Sequence, residues 1–145
     1  MYPLSVLFYN RVTHWPGRLV RLLGGCEYTH VAIQVGEAVA HVGWGSPPKW
    51  TTRQSYDRLE GTPALELSLG TTDVNLTDLF DYLPEACPRP VTIRSVMWEY
   101  YVLRRTPLCC TSTCVALLNF MNKQTPTDIV KPDTLVEYLR WRSYS

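Results

Sequence analysis

Two short segments with alternating side chains, residues 28–35 and 38–44, constrain the fold of this chain most strongly. Larger aliphatic residues alternate there with small or polar ones, as they do in a half-buried β-strand. Only a Gly-Glu pair separates the segments, so a two-residue turn predicts an antiparallel hairpin in which Val35 pairs with Ala38. One face of that hairpin is then predicted to carry His30, Ala32, Gln34, Val39, His41 and Gly43.

The rest of the chain predicts an α+β fold in which a small antiparallel sheet packs against helices. Further strands are predicted at residues 5–9 and 64–69, with a proline-containing loop at 45–56. Residues 91–105 fit a strand, a helix or one followed by the other. The 145 residues fit a single domain spanning positions 1–145. Helices are predicted at residues 16–23, 76–83, 111–122 and 132–141.

Composition argues against several classes of function. The chain carries 14 lysines and arginines against 13 aspartates and glutamates, without a long basic run, which disfavours nucleic-acid binding. Five cysteines is an odd number, and two of them are adjacent at positions 109 and 110, which favours free thiols in a reducing compartment. No apolar run approaches about 18 residues, and the first ten residues lack a signal-peptide pattern. We therefore expect a cytoplasmic protein without a membrane span.

The helix predicted at residues 111–122 places Cys114 where a nucleophile can be activated. Cys114, Leu117, Leu118 and Met121 recur at helical spacing, and Thr111, Ser112 or Thr113 is expected to cap the helix. A thiol in the first turn of a helix and beside an imidazole is stabilised as a thiolate. The alternative interpretation is that Cys114 is a small core residue.

His30 and His41 are the predicted partners of that thiol. His30 lies among apolar strand residues, where a polar ring needs a partner, and the register puts His41 diagonally across from it. We expect His30 to be the general base and His41 to orient it. Ala32 and Gly43 are small, so a helix carrying Cys114 is expected to approach this face closely. A three-residue turn would instead separate the two histidines.

A zinc site is an alternative use of Cys109, Cys110 and Cys114 with one histidine. Structural zinc sites favour paired ligands that are two to four residues apart on two knuckles, and adjacent cysteines lack that form. We predict no metal and no cofactor.

The segment Gly-Gly-Cys-Glu-Tyr-Thr-His-Val-Ala-Ile at 24–33, with a late cysteine before Val-Ala-Leu-Leu-Asn, resembles the circularly permuted papain-like hydrolases of the NlpC/P60 superfamily. The likeness spans about residues 5–139 and is greatest to short bacterial and phage-encoded members. In that family a strand histidine is the general base, the next strand supplies a third polar residue, and a cysteine opening a later helix is the nucleophile. The resemblance thus implies the site His30, His41 and Cys114, with Cys110, one helical turn earlier, as the alternative nucleophile.

The same resemblance implies a thiol hydrolase that cleaves an amide, peptide or ester bond through an acyl-enzyme. A peptide, peptidoglycan or acyl substrate fits this chemistry. Candidate donors to the oxyanion are the amide of Cys114 and the side chains of Tyr28 and Tyr101. Two alternatives are an acyltransferase with the same residues and a catalytically silent virion or host-binding component. A phage-encoded protein of this kind would act in the host cytoplasm or in the virion.

Overall fold

The computed structural model describes residues 1–10 and 27–143, and its centre is a five-stranded antiparallel sheet. The strands stand in the order β4-β3-β2-β1-β5. The predicted helix at residues 16–23 lies outside the described residues. The strand bounds are β1 Tyr2–Tyr9, β2 His30–Val35, β3 Ala38–His41, β4 Lys49–Thr52 and β5 Leu65–Thr72.

Five α-helices and one π-helical segment lie in the described part of the chain, so the predicted α+β class is confirmed. The helices predicted at 76–83, 111–122 and 132–141 correspond to α2, α4 and α5 below. None of the helices in this part is both long and apolar enough to cross a membrane. Their bounds are α1 Arg53–Glu60, α2 Leu76–Ala86, α3 Ile93–Met97, the π-helix Trp98–Val102, α4 Cys110–Phe120 and α5 Pro132–Ser143.

The turn of the β2–β3 hairpin has the predicted register. Val35 pairs with Ala38 and Gln34 with Val39, so two residues connect the strands. Gly36 has a φ of 60°, a left-handed conformation that this type of turn requires and that glycine adopts without a steric penalty.

The same hairpin opens at the end away from its turn. Among the described residues, pairing between β2 and β3 stops at Gln34, and Trp44 bridges Val91 instead. The predicted pairing of His30 with Gly43 is therefore wrong, because the chain after β3 turns toward Val91. This opening exposes one edge of β2 to another element.

Residues 45–56 are not the predicted loop, since they contain β4 and the start of α1. Trp50 pairs with Ala40, and the two prolines precede β4, where they remove no bond from the ladder. Thr52 then caps α1 by accepting a hydrogen bond from the amide of Ser55 (3.2 Å).

The two faces of the sheet are covered unequally. Helices α2, α4 and α5 cover the face that we call the helix face. The main hydrophobic core there includes Val31, Ile33, Val35, Leu79, Leu83, Cys114, Leu117, Leu118 and Leu135. The opposite face, here called the tyrosine face, holds a smaller cluster of Leu7, Tyr9, Ala32, Val39 and Tyr56. Because side chains alternate along a strand, the histidines of β2 and β3 lie on the tyrosine face with Ala32 and Val39.

Helix α4 begins earlier than the sequence pattern predicts. Cys109 is its N-cap, and Ser112 completes a capping box by accepting a hydrogen bond from the Cys109 amide on its Oγ (2.9 Å). The prediction that residues 111–113 cap the helix is wrong, because Ser112 occupies the third helical position. Cys110 is therefore the first residue of α4, and Cys114 lies in its second turn.

Candidate thiol and imidazole site

Cys110 lies where α4 begins, at the open end of the β2–β3 hairpin. The residue as a whole is half-buried, and its thiol accepts a hydrogen bond from the backbone amide of Val31. That amide belongs to the peptide that joins His30 to Val31, so the thiol lies beside the backbone of His30. The contact is available because β3 does not pair with β2 at this position.

The ring of His30 is held by Tyr56. Nε2 of His30 and the hydroxyl of Tyr56 are hydrogen-bonded, and the two rings stack with their centroids 6.2 Å apart. Tyr56 is the one fully buried residue of α1. Burial raises the pKa of Tyr56 far above its usual value, so its hydroxyl stays protonated. The orientation of the imidazole is thus fixed from α1.

His41 shares the tyrosine face with His30, as the two-residue turn predicts. Its ring meets the edge of Tyr56 with the centroids 5.5 Å apart. The Nδ1 atom of His41 is buried and has no hydrogen-bond partner among the described residues. Burial also lowers the pKa of His41, which keeps its ring neutral at neutral pH. Tyr56 therefore makes a hydrogen bond to His30 of the kind that was predicted for His41.

Gly43 has a different role from the predicted one. A Cβ atom there would lie 3.1 Å from Nε2 of His41, so the absence of a side chain makes room for that ring. The helix that was expected to approach this face packs against the helix face instead.

Cys114 lies in the main core. It is 2% exposed and clusters with Val31 and Leu117 on the helix face, whereas the ring of His30 contacts Tyr56 on the tyrosine face. Burial raises the pKa of the Cys114 thiol well above its ordinary value. The structure does not bring Cys114 to the imidazole, and Cys110 occupies the helix opening that was predicted for it.

The Cys110 thiol is protonated at neutral pH in this environment. Burial raises its pKa to about 12, and the neighbouring Cys109 acts in the same direction. Hydrogen bonds from the amide of Val31 and from the hydroxyl and amide of Thr111 lower the pKa, but they do not offset the effect of burial. A reaction at this sulfur therefore needs a base that accepts the proton as the reaction proceeds.

An apolar pocket of about 120 Å³ is lined by Cys110 and by the π-helix. Tyr101, one of the two tyrosines predicted to contact an oxyanion, lines this pocket. Tyr28, the other, packs in the main core with its ring centroid 5.6 Å from that of Phe8. The pocket also includes Thr29, Trp44, Val96, Met97, Tyr100, Cys109 and Thr111.

The backbone amide of Cys114, which was predicted to donate to an oxyanion, lies in the second turn of α4. An amide in the second turn of a helix is used by the helix itself, whereas those in the first turn have no intrahelical acceptor. The backbone amide of Cys110 lies in the first turn.

Asp133 attaches α5 to the segment that leads into β2. Its carboxylate accepts hydrogen bonds from the amides of Glu27 (2.7 Å) and Tyr28 (2.9 Å). This contact precedes His30 by two residues and helps to fix where β2 begins.

Tyr56, which holds the ring of His30, is not among the residues predicted from the sequence. The signal for α1 was present, because Thr52 is a good helix cap and Ser55 stands three positions later. Nothing in the sequence indicates that the one buried residue of this polar helix contacts a strand histidine.

Four cysteines of the described chain, at positions 87, 109, 110 and 114, are free thiols. Within the same residues, no group of three or more His, Cys, Asp or Glu side chains is arranged to hold a metal ion.

Comparison of the chain with protein-family models, with curated proteins and with solved structures finds no significant match.

Proposed function

We propose that this chain is a thiol hydrolase in which Cys110 is the nucleophile, His30 the general base and Tyr56 the residue that orients the base. One observation carries the proposal. The Cys110 thiol accepts a hydrogen bond from the Val31 amide, beside the backbone of His30. The buried hydroxyl of Tyr56 is hydrogen-bonded to Nε2 of that histidine. A nucleophile, a base and a group that orients the base are the three parts that such a reaction needs.

The hydrogen bond to Tyr56 sets the role of each ring nitrogen. If Nε2–H of His30 donates to the phenol oxygen, Nδ1 carries the lone pair that accepts the thiol proton. Tyr56 suits this role because its hydroxyl remains neutral. A neutral oxygen accepts the hydrogen bond without keeping the imidazole permanently charged.

The reaction then proceeds in two steps. In the first, His30 takes the proton from Cys110, the sulfur bonds to the substrate carbonyl carbon, and the leaving amine or alcohol departs with the proton returned by His30. In the second, His30 takes a proton from water, the hydroxyl oxygen bonds to the acyl carbon, and the Cys110 sulfur leaves and is reprotonated. In both steps we propose the first-turn amide of Cys110 as a donor to the oxyanion.

We also propose a permuted papain-like fold, because of the order in which the elements follow one another. The histidine strand precedes the cysteine helix in the chain, and that helix packs against an antiparallel sheet. This order supports the resemblance to the NlpC/P60 superfamily without depending on Cys114.

The hydrolase proposal is tested by three single cysteine variants assayed on p-nitrophenyl acetate and on a fluorogenic peptide amide. Cys110→Ala is expected to lose turnover by about 10²-fold or more, because it removes the proposed nucleophile. Cys109→Ala, the adjacent matched control, and Cys114→Ala are expected to retain it wherever they are folded. Turnover that survives Cys110→Ala and is lost in Cys114→Ala would overturn the assignment.

A catalytically silent binding protein is the second candidate, and the raised pKa of Cys110 favours it. Mass spectrometry after incubation with a thioester distinguishes the two functions. An acyl adduct on Cys110 that forms in the wild type and is absent in His30→Gln supports the hydrolase. Equal acylation of the two proteins supports the silent alternative.

A further inference from the structure

The surface formed by the π-helix and the residue after it exposes a run of large apolar side chains. We call Trp98, Tyr100, Tyr101, Val102 and Leu103 the aromatic patch. Trp98 is 56% exposed and Tyr101 is 49% exposed, and the other three are also exposed. The remaining exposed large hydrophobic residues of the described chain are scattered, at positions 1, 2, 59, 80 and 141. A contiguous exposed apolar surface marks an interaction site more often than a chance cluster does.

Glu99 explains how the chain keeps these side chains outside. It is the one buried residue of the π-helix, and its carboxylate forms ion pairs with Arg89 and with Arg105 (3.3 Å). The segment is thus attached to the protein through a charged residue at its inward position. Its apolar residues are left facing outward, in a type of helix that often occurs at functional sites.

The charges around the patch are mostly positive. Residues 89–105 contain four arginines and one glutamate, and that glutamate is the paired Glu99. Arg94 and Arg104 are exposed and have no carboxylate within ion-pair distance in the described part of the chain. Arg94 borders the patch directly, in a shallow groove shared with Trp98 and Val102.

We propose that the aromatic patch and its arginines bind the surface of an anionic lipid bilayer. Tryptophan and tyrosine favour the boundary between headgroups and acyl chains, and arginine is attracted to anionic headgroups. Both requirements are met here by adjacent residues. A nucleic acid would match the arginines but not the aliphatic side chains, and a bilayer surface matches both.

The position of Tyr101 gives this surface a link to the thiol pocket. Tyr101 and Met97 line both that pocket and the groove shared with Trp98. A bilayer bound at the patch would therefore lie next to the opening that leads toward Cys110. Binding to the bilayer does not depend on the hydrolase proposal, and its test does not measure enzymatic activity.

The test is flotation of the full chain with vesicles of phosphatidylcholine alone or mixed with phosphatidylglycerol. We expect binding to the mixed vesicles that weakens as salt is added. Trp98→Ser should weaken binding by about tenfold, because it removes one large apolar side chain that would be buried in the lipid. Arg94→Gln should weaken it by about fivefold. Arg104→Asn should do the same, and asparagine tolerates the positive φ of 55° at this position.

Two matched controls separate the patch from surface residues elsewhere. Trp141→Ser removes a tryptophan that is 66% exposed on α5, and Arg58→Gln removes an exposed arginine of α1. Both are expected to bind like the wild type.

The proposal is overturned by an absence of binding to the mixed vesicles, by equal binding to neutral vesicles, or by an equal loss of binding in Trp141→Ser. Self-association without vesicle binding that Trp98→Ser abolishes would show a second copy of the chain to be the occupant. Variants are compared only where circular dichroism shows them folded, and the salt dependence of the wild type needs no variant.

Discussion

The hydroxyl of Tyr56 and Nε2 of His30 are hydrogen-bonded across 26 positions of the chain, and this contact links α1 to the first residue of β2. Because Tyr56 is buried and stays protonated, it can hold the imidazole in one orientation over a wide pH range. The neighbouring Tyr9 offers a direct comparison, since its buried hydroxyl has no hydrogen-bond partner among the described residues.

Removing the Tyr56 hydroxyl should affect both stability and the pH dependence of turnover. Tyr56→Phe leaves the His30 nitrogen without this partner, so we expect the free energy of unfolding in urea to fall by about 1–3 kcal/mol. We also expect a lower kcat. The acid limb of the kcat/KM profile should move to lower pH, because the protonated ring loses an acceptor.

Tyr9→Phe is the matched control for this prediction. It removes a hydroxyl of the same face that has no hydrogen-bond partner in the described part of the chain, so stability should stay the same or rise. A pH profile in Tyr56→Phe identical to that of the wild type would mean that Tyr56 has only a structural role.

Native-state alkylation should separate the cysteines by exposure. Cys110 is half-buried and should react with iodoacetamide, whereas Cys114 at 2% exposure should react only after unfolding. The pKa of Cys110 is raised to about 12, so its labelling rate should still climb above pH 9. Peptide mapping by mass spectrometry over pH 7–10 measures both. A rate at Cys110 that reaches a plateau near neutral pH would contradict the burial argument and would indicate a thiolate in the resting protein.

The pH dependence of stability should contain a contribution from His41. Burial lowers its pKa below the usual 6.5, so the unfolded chain binds a proton before the folded one does. Stability from the neutral ring is fully present above about pH 6.5 and is lost as the pH falls toward the folded-state pKa.

Urea unfolding of the wild type and of His41→Gln between pH 7.5 and pH 5 checks this contribution. The wild type should lose more stability than the variant over that interval, because glutamine does not titrate. Equal slopes would show that His41 is as easily protonated in the folded protein as in the unfolded one.

The sequence predicts best those features that a local rule determines. A two-residue turn fixes the strand register, so the pairing of Val35 with Ala38 and the shared face of His30 and His41 follow from it. The pairing of His30 with Gly43 fails because the hairpin opens toward Val91, a partner that is distant in sequence.

The assignment of the nucleophile depended on where α4 begins. Threonine and serine at 111–113 are the expected caps, but Cys109 has that role and Ser112 is the third helical residue. A shift of one helical turn moves the helix opening from Cys114 to Cys110. Capping preferences are too similar among neighbouring residues to decide this without the tertiary contact to Val31.

Asp133 should stabilise the start of β2 through its two amide contacts. Asp133→Asn keeps the size of the side chain but replaces a charged acceptor pair by one carbonyl oxygen, so at least one of the amides of Glu27 and Tyr28 loses its acceptor. We expect a loss of about 1–3 kcal/mol in urea unfolding, since hydrogen bonds to a charged group are stronger than neutral ones. Hydrogen exchange at Tyr28 should accelerate, and turnover should fall if the position of His30 depends on this segment.

Asp81→Asn is the matched control, because Asp81 is exposed on α2. The free energy of unfolding of this variant should be within about 0.5 kcal/mol of the wild type. Equal stabilities for the two variants would mean that α5 fixes β2 through its apolar face alone.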